Sequence, residues 1–265
     1  MHNDSVSDEK YRLRILERAI AVLFEFSADT PTLSLEELAA ASGINKTSLV
    51  RILRTLEPAG FVLREDDRYR LGPRVLGLAN VYLSTLSFHK VAAPHMQALA
   101  VDCGQTVSLA VLDGLEIVYV AIERAQRDIG IQGEIGGRHP VNATALGKVL
   151  LTALDPQRLR FQLADAELPR LTHRTIVDGN ELQRVVERVR RDGYALDDEE
   201  RGIGIRCVAA PIHDFTGRVV AAMSVAGPIF DMHEGTLEDI RARLLETAKA
   251  VSRELGYEAA QLVVS

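Results

Sequence analysis

Cysteine is scarce in this chain. Cys103 and Cys207 are the two present, and they lie too far apart to spell out a disulfide framework or a paired-cysteine zinc module. Long apolar runs are missing as well. No stretch of about 18 apolar residues occurs, the length a bilayer-spanning helix needs. The N-terminal "MHNDSVSDEKYRLR" lacks the apolar core of a secretion signal. The expectation is a cytoplasmic protein with no membrane partner. A nucleotide-binding loop is also absent. The pattern G-x-x-x-x-G-K-[ST] fails at "NATALGKV", where position 142 is Asn and Gly147-Lys148 is followed by Val149. Finally there is no cationic excess: the formal net charge is −6. That excludes a surface coated in positive potential, but not a local patch, because the placement of the cations decides nucleic-acid binding.

What is present is a core. Of 265 residues, 47% are hydrophobic and 26% charged, a globular composition at a length that predicts one large or two modest domains. Neither an internal repeat nor a low-complexity segment is visible. Residues 1–75 hold 11 Lys+Arg against 12 Asp+Glu, the rest 20 against 25, so the N-terminal part is the less acidic.

"RLRILERAIAVLFEF" carries Leu13, Leu16, Ile20, Leu23 and Phe24 as one apolar stripe at helical spacing. "DTP" then breaks the chain at Pro31. In "SLEELAAASG", Ser34 and Glu37 have capping-box spacing, and Gly43 supplies a stop that tolerates positive φ. Asn45 is an N-cap candidate for "KTSLVRILRTL", with Gly60 beyond its end. In that helix Leu49, Ile52, Leu53 and Leu56 share one side, and Thr47, Arg51 and Arg54 the other. "FVLRE", "DD" and "RYRLG" follow as a hairpin bearing Arg64, Arg68 and Arg70.

Taken alone, the amphipathic helix packs and nothing more. The order helix, short helix, tight turn, helix, hairpin is that of a winged helix-turn-helix, whose second paired helix enters the major groove N-terminus first. Lys46, Thr47 and Ser48 are donors at that end, where free amides favour phosphate. Arg51 and Arg54 can bond guanine or phosphate in bidentate fashion.

Gly72 to Phe88 reads as a connecting helix with Val75, Leu78, Ala79, Tyr82 and Leu86 inward. "HKVAAPHMQALAVDCG" predicts a helix started or interrupted at Pro94. Strands follow. "QTVSLAVLDGLEIVYVAIER" is a hairpin around Asp113-Gly114, and "IGIQGEIGG" a further strand with a glycine turn. Helices are predicted at "NATALGKVLLTAL", "DPQRLRFQLAD" and "DGNELQRVVERVRRDG". Two strands around Asp214 and Gly217 and the helix "EGTLEDIRARLLETAKAVSREL" complete an α+β sensor-like domain with a mixed or antiparallel sheet.

Isolated reactive residues carry little on their own. Cys207 in a β-prone run reads as a small buried hydrophobe rather than a nucleophile. His139, His173 and His213 are scattered, and Glu116 and Glu123 face solvent. Arg138 and His139 precede the "NATALGK" helix, either steering an anion or sitting in a solvated loop. "DDEE" lacks the His and Cys partners zinc requires, and only Asp197 of that run is expected to turn inward. No cofactor and no metal is implied.

Together the segments "RILRTLEPAGFV", "YRLGPRVLGL", "RHPVNATALGKVLL", "LTHRTI", "GYALDDEERGIGIRCVAAPI" and "SVAGP" resemble, in this order, the IclR-type family of bacterial transcription regulators. The resemblance runs from about Tyr11 to Gly256. It implies a winged helix-turn-helix over 11–72, a connecting helix over 73–88 and a GAF-like effector-binding domain over 89–260. It further implies a homodimer, or a dimer of dimers, on a palindromic double-stranded operator with half-sites about 34–36 Å apart. By position it assigns the effector pocket to the backbone amides of Ala145 and Leu146, and to Asp197, Ile205, Cys207 and Ser224. The family's frequent second serine is Ala226 here. A hydroxyl is thereby lost, and a longer or aromatic acid, rather than a small oxoacid, is the expected effector. Repression by such an organic acid-responsive regulator is the expected function. The rival readings are an enzyme, or a protein-partner sensor, built on the GAF-like domain with the N-terminal part serving only in dimerisation.

Overall fold

The computed structural model describes residues 13–27, 29–85, 87–124 and 133–258. The chain divides into two compact units, Met1–Thr85 and Leu86–Ser265. The expected limits at 11 and 260 fall outside the described residues.

In the first unit, α1 (Arg14–Phe24) is followed by β1 (Thr32–Ser34), α2 (Leu35–Ser42) and α3 (Lys46–Leu56). Then come β2 (Val62–Glu65), β3 (Arg68–Leu71) and α4 (Arg74–Thr85). Strand β1 was not anticipated. It adds to the hairpin in the order β1-β3-β2, pairing Leu33 with Tyr69. The helix boundaries follow local chemistry. Ser34 and Glu37 form the full capping box on α2, Gly43 ends it at φ 65°, and Asn45 accepts the Ser48 amide at 2.9 Å. Val22, Phe26, Leu33, Leu38, Leu49, Ile52, Leu53 and Tyr69 make the core.

Two expectations about apolar faces need correction. On α1 the buried face is Ala19, Val22 and Leu23, continued by Phe26, whereas Leu13, Leu16, Ile20 and Phe24 are more than half exposed. The i, i+3, i+4, i+7 series starting at Ala19 meets α2 and α3, so Leu23 of the predicted stripe faces the core and its other four residues lie on the adjoining face. On α4, Leu78, Ala79 and Tyr82 are exposed rather than inward, with Leu76 and Val81. The core of this unit is already closed without α4, which is tied to it by Gly72 and Arg74 amides bonded to Phe61 and Gly60 carbonyls. Leu86 lies outside the described residues.

The second unit begins with α5 (Ser87–Cys103), which runs straight through Pro94. Pro94 is exposed, and the lost backbone bond is offset by burial of Phe88, Ala92, Met96 and Leu99 on the opposite side. After it come β4 (Thr106–Asp113), β5 (Glu116–Glu123), β6 (Arg138–Pro140), α6 (Ala145–Leu150), α7 (Pro156–Ala164) and α8 (Gly179–Asp192). The chain ends in β7 (Ala195–Asp198), β8 (Ile205–His213), β9 (Val219–Pro228) and α9 (Glu234–Glu254). The strand expected over 129–132 lies outside the described residues. All pairings are antiparallel, in the order β6-β5-β4-β9-β8-β7. Helices α6 and α8 cover one face with their cluster of Leu146, Val149, Leu150, Leu182 and Val186, while α5 and α9 pack on the sheet as well. Covered on both sides, β4 is buried over its first six residues although its residues alternate polar and apolar.

Candidate functional site

Register builds the floor of a cleft in the second unit. Thr106 of β4 lies opposite Ala226 of β9, Ala226 opposite Cys207 of β8, and Cys207 opposite Asp197 of β7. Directly paired residues share a face, so these four form one row across four strands. Ser108 and Ser224 pair in the next row. Leu146 and Thr144 at the start of α6, Tyr119 of β5, and Ile205 complete a narrow, tightly closed cleft.

Six of the seven residues assigned by resemblance therefore converge: Leu146, Asp197, Ile205, Cys207, Ser224 and Ala226. Ala145 is fully buried beside them without lining the cleft. Thr144 caps α6 by accepting the Gly147 amide at 3.0 Å, and the first two amides of the helix have no partner within it. Gly147 allows α6 to sit this close. A Cβ there would come within 2.3 Å of Val141 backbone atoms. Thr106, Ser108, Tyr119, Thr144 and Arg201 also line the cleft and were not anticipated. The polar alternation at Thr106 and Ser108 was a usable signal for two of them.

The acidic run is more inward than expected. Asp197 is buried, as foreseen, with one carboxylate oxygen accepting the amides of Glu200 at 2.7 Å and Arg201 at 3.2 Å. But Glu199 also turns in to accept the Gly204 amide, and Glu200 pairs with the fully buried Lys148. The reason is the loop between β7 and β8, which folds back on itself with Glu199 at φ 63°. Arg138 is exposed and holds Asp113 and Glu116, whereas the half-buried His139 meets Arg201.

Burial sets the electrostatics. It raises the Asp197 carboxyl to about 6 against its two amide bonds and Lys148. It pushes the Cys207 thiol and the Tyr119 phenol each up to about 12. A thiol that stays protonated is a poor nucleophile at neutral pH. His139 falls to about 4, chiefly through burial and then through Arg201, and is a neutral acceptor. Asp197 gives a testable pH dependence. Its folded value lies above the ordinary 3.8, so its contribution is present at low pH and is lost as pH rises through about 6. Glu200, also raised by burial, acts with the same sign. The neutral His139 acts with the opposite sign over the same range, so the expected outcome is a difference: relative to Asp197→Asn, the melting temperature of the unaltered protein falls between pH 4 and 6.5 and is level above. Parallel pH profiles of the two proteins would exclude Asp197 as a source of pH dependence.

The N-terminal face has a different character. Arg51 and Arg54 are exposed on α3 and hold no carboxylate among the described residues, and Thr47 is exposed between them and the helix start. Other cations foreseen for DNA are engaged within the unit. Lys46 pairs with Glu36 at 2.6 Å, Arg68 with Glu37 at 2.9 Å and Arg70 with Glu65 at 2.6 Å. Arg64 bonds the hairpin turn at the Asp66 carbonyl. Ser48 gives its amide to the Asn45 cap. Among the described residues no group of three His, Cys, Asp or Glu converges to hold a metal, and no helix is long and apolar enough to cross a membrane.

Comparison with known proteins agrees with both halves. Residues 15–66 match the IclR helix-turn-helix domain, and residues 80–253 match the bacterial transcriptional regulator IclR C-terminal family. The chain is 31% identical to the HTH-type transcriptional regulator XynR of Escherichia coli strain K12, over 93% of this chain and 99% of XynR. It is 30% identical to the HTH-type transcriptional repressor AllR of Salmonella typhi, over 92% and 90%. An IclR homolog from Microbacterium hydrocarbonoxydans, solved in complex with 4-hydroxybenzoate, superposes with a TM-score of 0.81 at 25% identity, covering 91% of this chain and 98% of that one. A helix-turn-helix with two exposed arginines on its second helix, a cleft built across four strands of the second unit, and family matches spanning both units lead to one conclusion: the chain belongs to the IclR family of bacterial transcriptional regulators.

Proposed function

We propose that the protein is a repressor that binds a palindromic operator as a homodimer or dimer of dimers and responds to an aromatic or longer-chain organic acid in the cleft of its C-terminal unit. The observation that carries this is the cross-strand row Thr106–Ala226–Cys207–Asp197. It is polar at both ends and apolar in the middle, at Ala226 and the protonated Cys207. Such a row suits a ligand with a flat apolar body and polar termini better than a two- or three-carbon oxoacid. The naming of AllR as a repressor, and of a homolog as a 4-hydroxybenzoate complex, supports both halves of the reading. Lys46, Thr47, Ser48, Arg51 and Arg54 would contact DNA from α3, with Arg64, Arg68 and Arg70 on the wing.

The test uses the full-length protein to select duplexes from a random pool, followed by anisotropy titration with and without added acids. The expected result is an enriched inverted repeat, with half-sites about one helical turn apart. An aromatic acid should shift operator affinity by roughly 5–150-fold. Enrichment of no repeat would overturn the operator reading, and tight binding of glyoxylate or pyruvate alone would overturn the ligand class.

A further inference from the structure

Arg201 is surrounded by carboxylates and paired with none of them. Every acid in the run before it is taken. Asp197 accepts backbone amides, and Asp198 holds Arg174 at 2.6 Å and Arg206 at 2.7 Å. Glu199 accepts the Gly204 amide, and Glu200 holds Lys148. The guanidinium of Arg201 instead donates to Nε2 of His139 at 2.8 Å. His139 is in turn fixed edge-on against Tyr119, ring centroids 5.6 Å apart. Burial and the neighbouring guanidinium keep that imidazole neutral, so it orients the cation without balancing its charge.

A guanidinium has five N–H donors, and one is directed at His139. The group is half-buried and borders the cleft. A half-buried cation with no counter-ion is costly unless one arrives. Among the described residues Arg201 is also the one permanently charged cation lining the cleft, beside the acid Asp197.

We propose that Arg201 is the carboxylate anchor of this cleft, gripping a monocarboxylate ligand while His139 holds the guanidinium plane. The inference rests on the reading of the cleft as the effector site. The ligand's uncharged body then lies along Ile205, Cys207 and Ala226. A second carboxylate is disfavoured, because Asp197 shares the cleft and, among the described residues, no further cation lines it. Specificity for monoanions over dianions and over neutral isosteres follows from these residues.

The experiment is isothermal titration of the full-length protein with 4-hydroxybenzoate, 4-hydroxybenzamide and terephthalate. Wild type, Arg201→Gln and Arg201→Lys are compared, with the melting temperature of each as a check on folding. Wild type is expected to prefer the acid to its amide by about 10–150-fold, the range of a charge-assisted hydrogen bond, and to bind terephthalate more weakly than 4-hydroxybenzoate. Arg201→Gln should bind acid and amide within about threefold of each other, while Arg201→Lys, which keeps the charge without the planar fork, falls between. Undiminished acid binding by Arg201→Gln overturns the proposal. Should that variant not fold, undiminished binding by Arg201→Lys does so for the bidentate grip. Wild type that binds the amide as well as the acid removes the anchor but leaves the cleft a ligand site. Wild type that binds none of the three overturns the effector-site reading for this ligand class, and the anchor with it.

Discussion

Replacing Arg51 and Arg54 together with alanine is expected to lower operator affinity by roughly 10²–10⁴-fold while leaving the melting temperature nearly unchanged. The two halves of that expectation come from opposite sides of one helix. Leu49, Ile52 and Leu53 are almost fully buried against the rest of the unit. Arg51 and Arg54 are exposed and hold no carboxylate among the described residues, so their removal leaves no orphaned partner there. A bidentate contact to guanine is worth about 1–3 kcal/mol per arginine, and loss of a phosphate contact weakens all sequences alike and reduces the salt slope by about one. Titration against the selected operator and an unrelated duplex, at several salt concentrations, separates these roles. By contrast Arg70→Ala should cost less, because Arg70 is already committed to Glu65 and must leave that carboxylate to reach DNA. If the Arg51/Arg54 double variant binds as wild type does, α3 is not the reading helix.

How much of this was legible without coordinates depended on the range of the interaction. The helix-turn-helix was readable because its determinants are local. Ser34 with Glu37, Gly43 and Asn45 with the Ser48 amide act within three or four residues. The direction of the α1 and α4 apolar faces was not, since two adjoining faces of α1 both carry apolar residues and contacts decide which is buried. Within the cleft, Asp197, Cys207 and Ser224 could be assigned by resemblance, but Thr106 and Ser108 join them through strand register across β4 and β9. Arg201 was missed for another reason. It reads as one more charge after an acidic run, and its meaning appears only once every neighbouring carboxylate has been given its partner.

The same accounting makes Lys148→Met the most damaging single change expected in the C-terminal unit, at about 3–5 kcal/mol, the cost of stranding one member of a buried ion pair. Lys148 is the largest fully buried side chain, its Nζ bonded to the Leu196 carbonyl at 2.6 Å and to Glu200. Glu200 keeps a second carboxylate oxygen buried without a partner, and burial raises its proton affinity even with Lys148 present. Without Lys148 it must take up a proton or draw water inward. Because Leu196 and Glu200 lie on either side of Asp197, and Glu200 precedes Arg201, one ammonium group on α6 staples the end of β7 to the start of the following loop, the stretch that carries Asp197 and Arg201. Stability and ligand binding should therefore separate in the double variant Lys148→Met/Glu200→Leu. Removing both charges restores most of the lost stability, since apolar replacements of a buried pair are often neutral or stabilising. The staple is gone, however, so acid affinity stays reduced. Urea titration followed by circular dichroism, with calorimetry on the same three proteins, measures both quantities. A single variant that loses less than about 1 kcal/mol would show that the pair is not buried as described. A double variant that recovers affinity along with stability would show that the loop holds its cleft residues in place without Lys148.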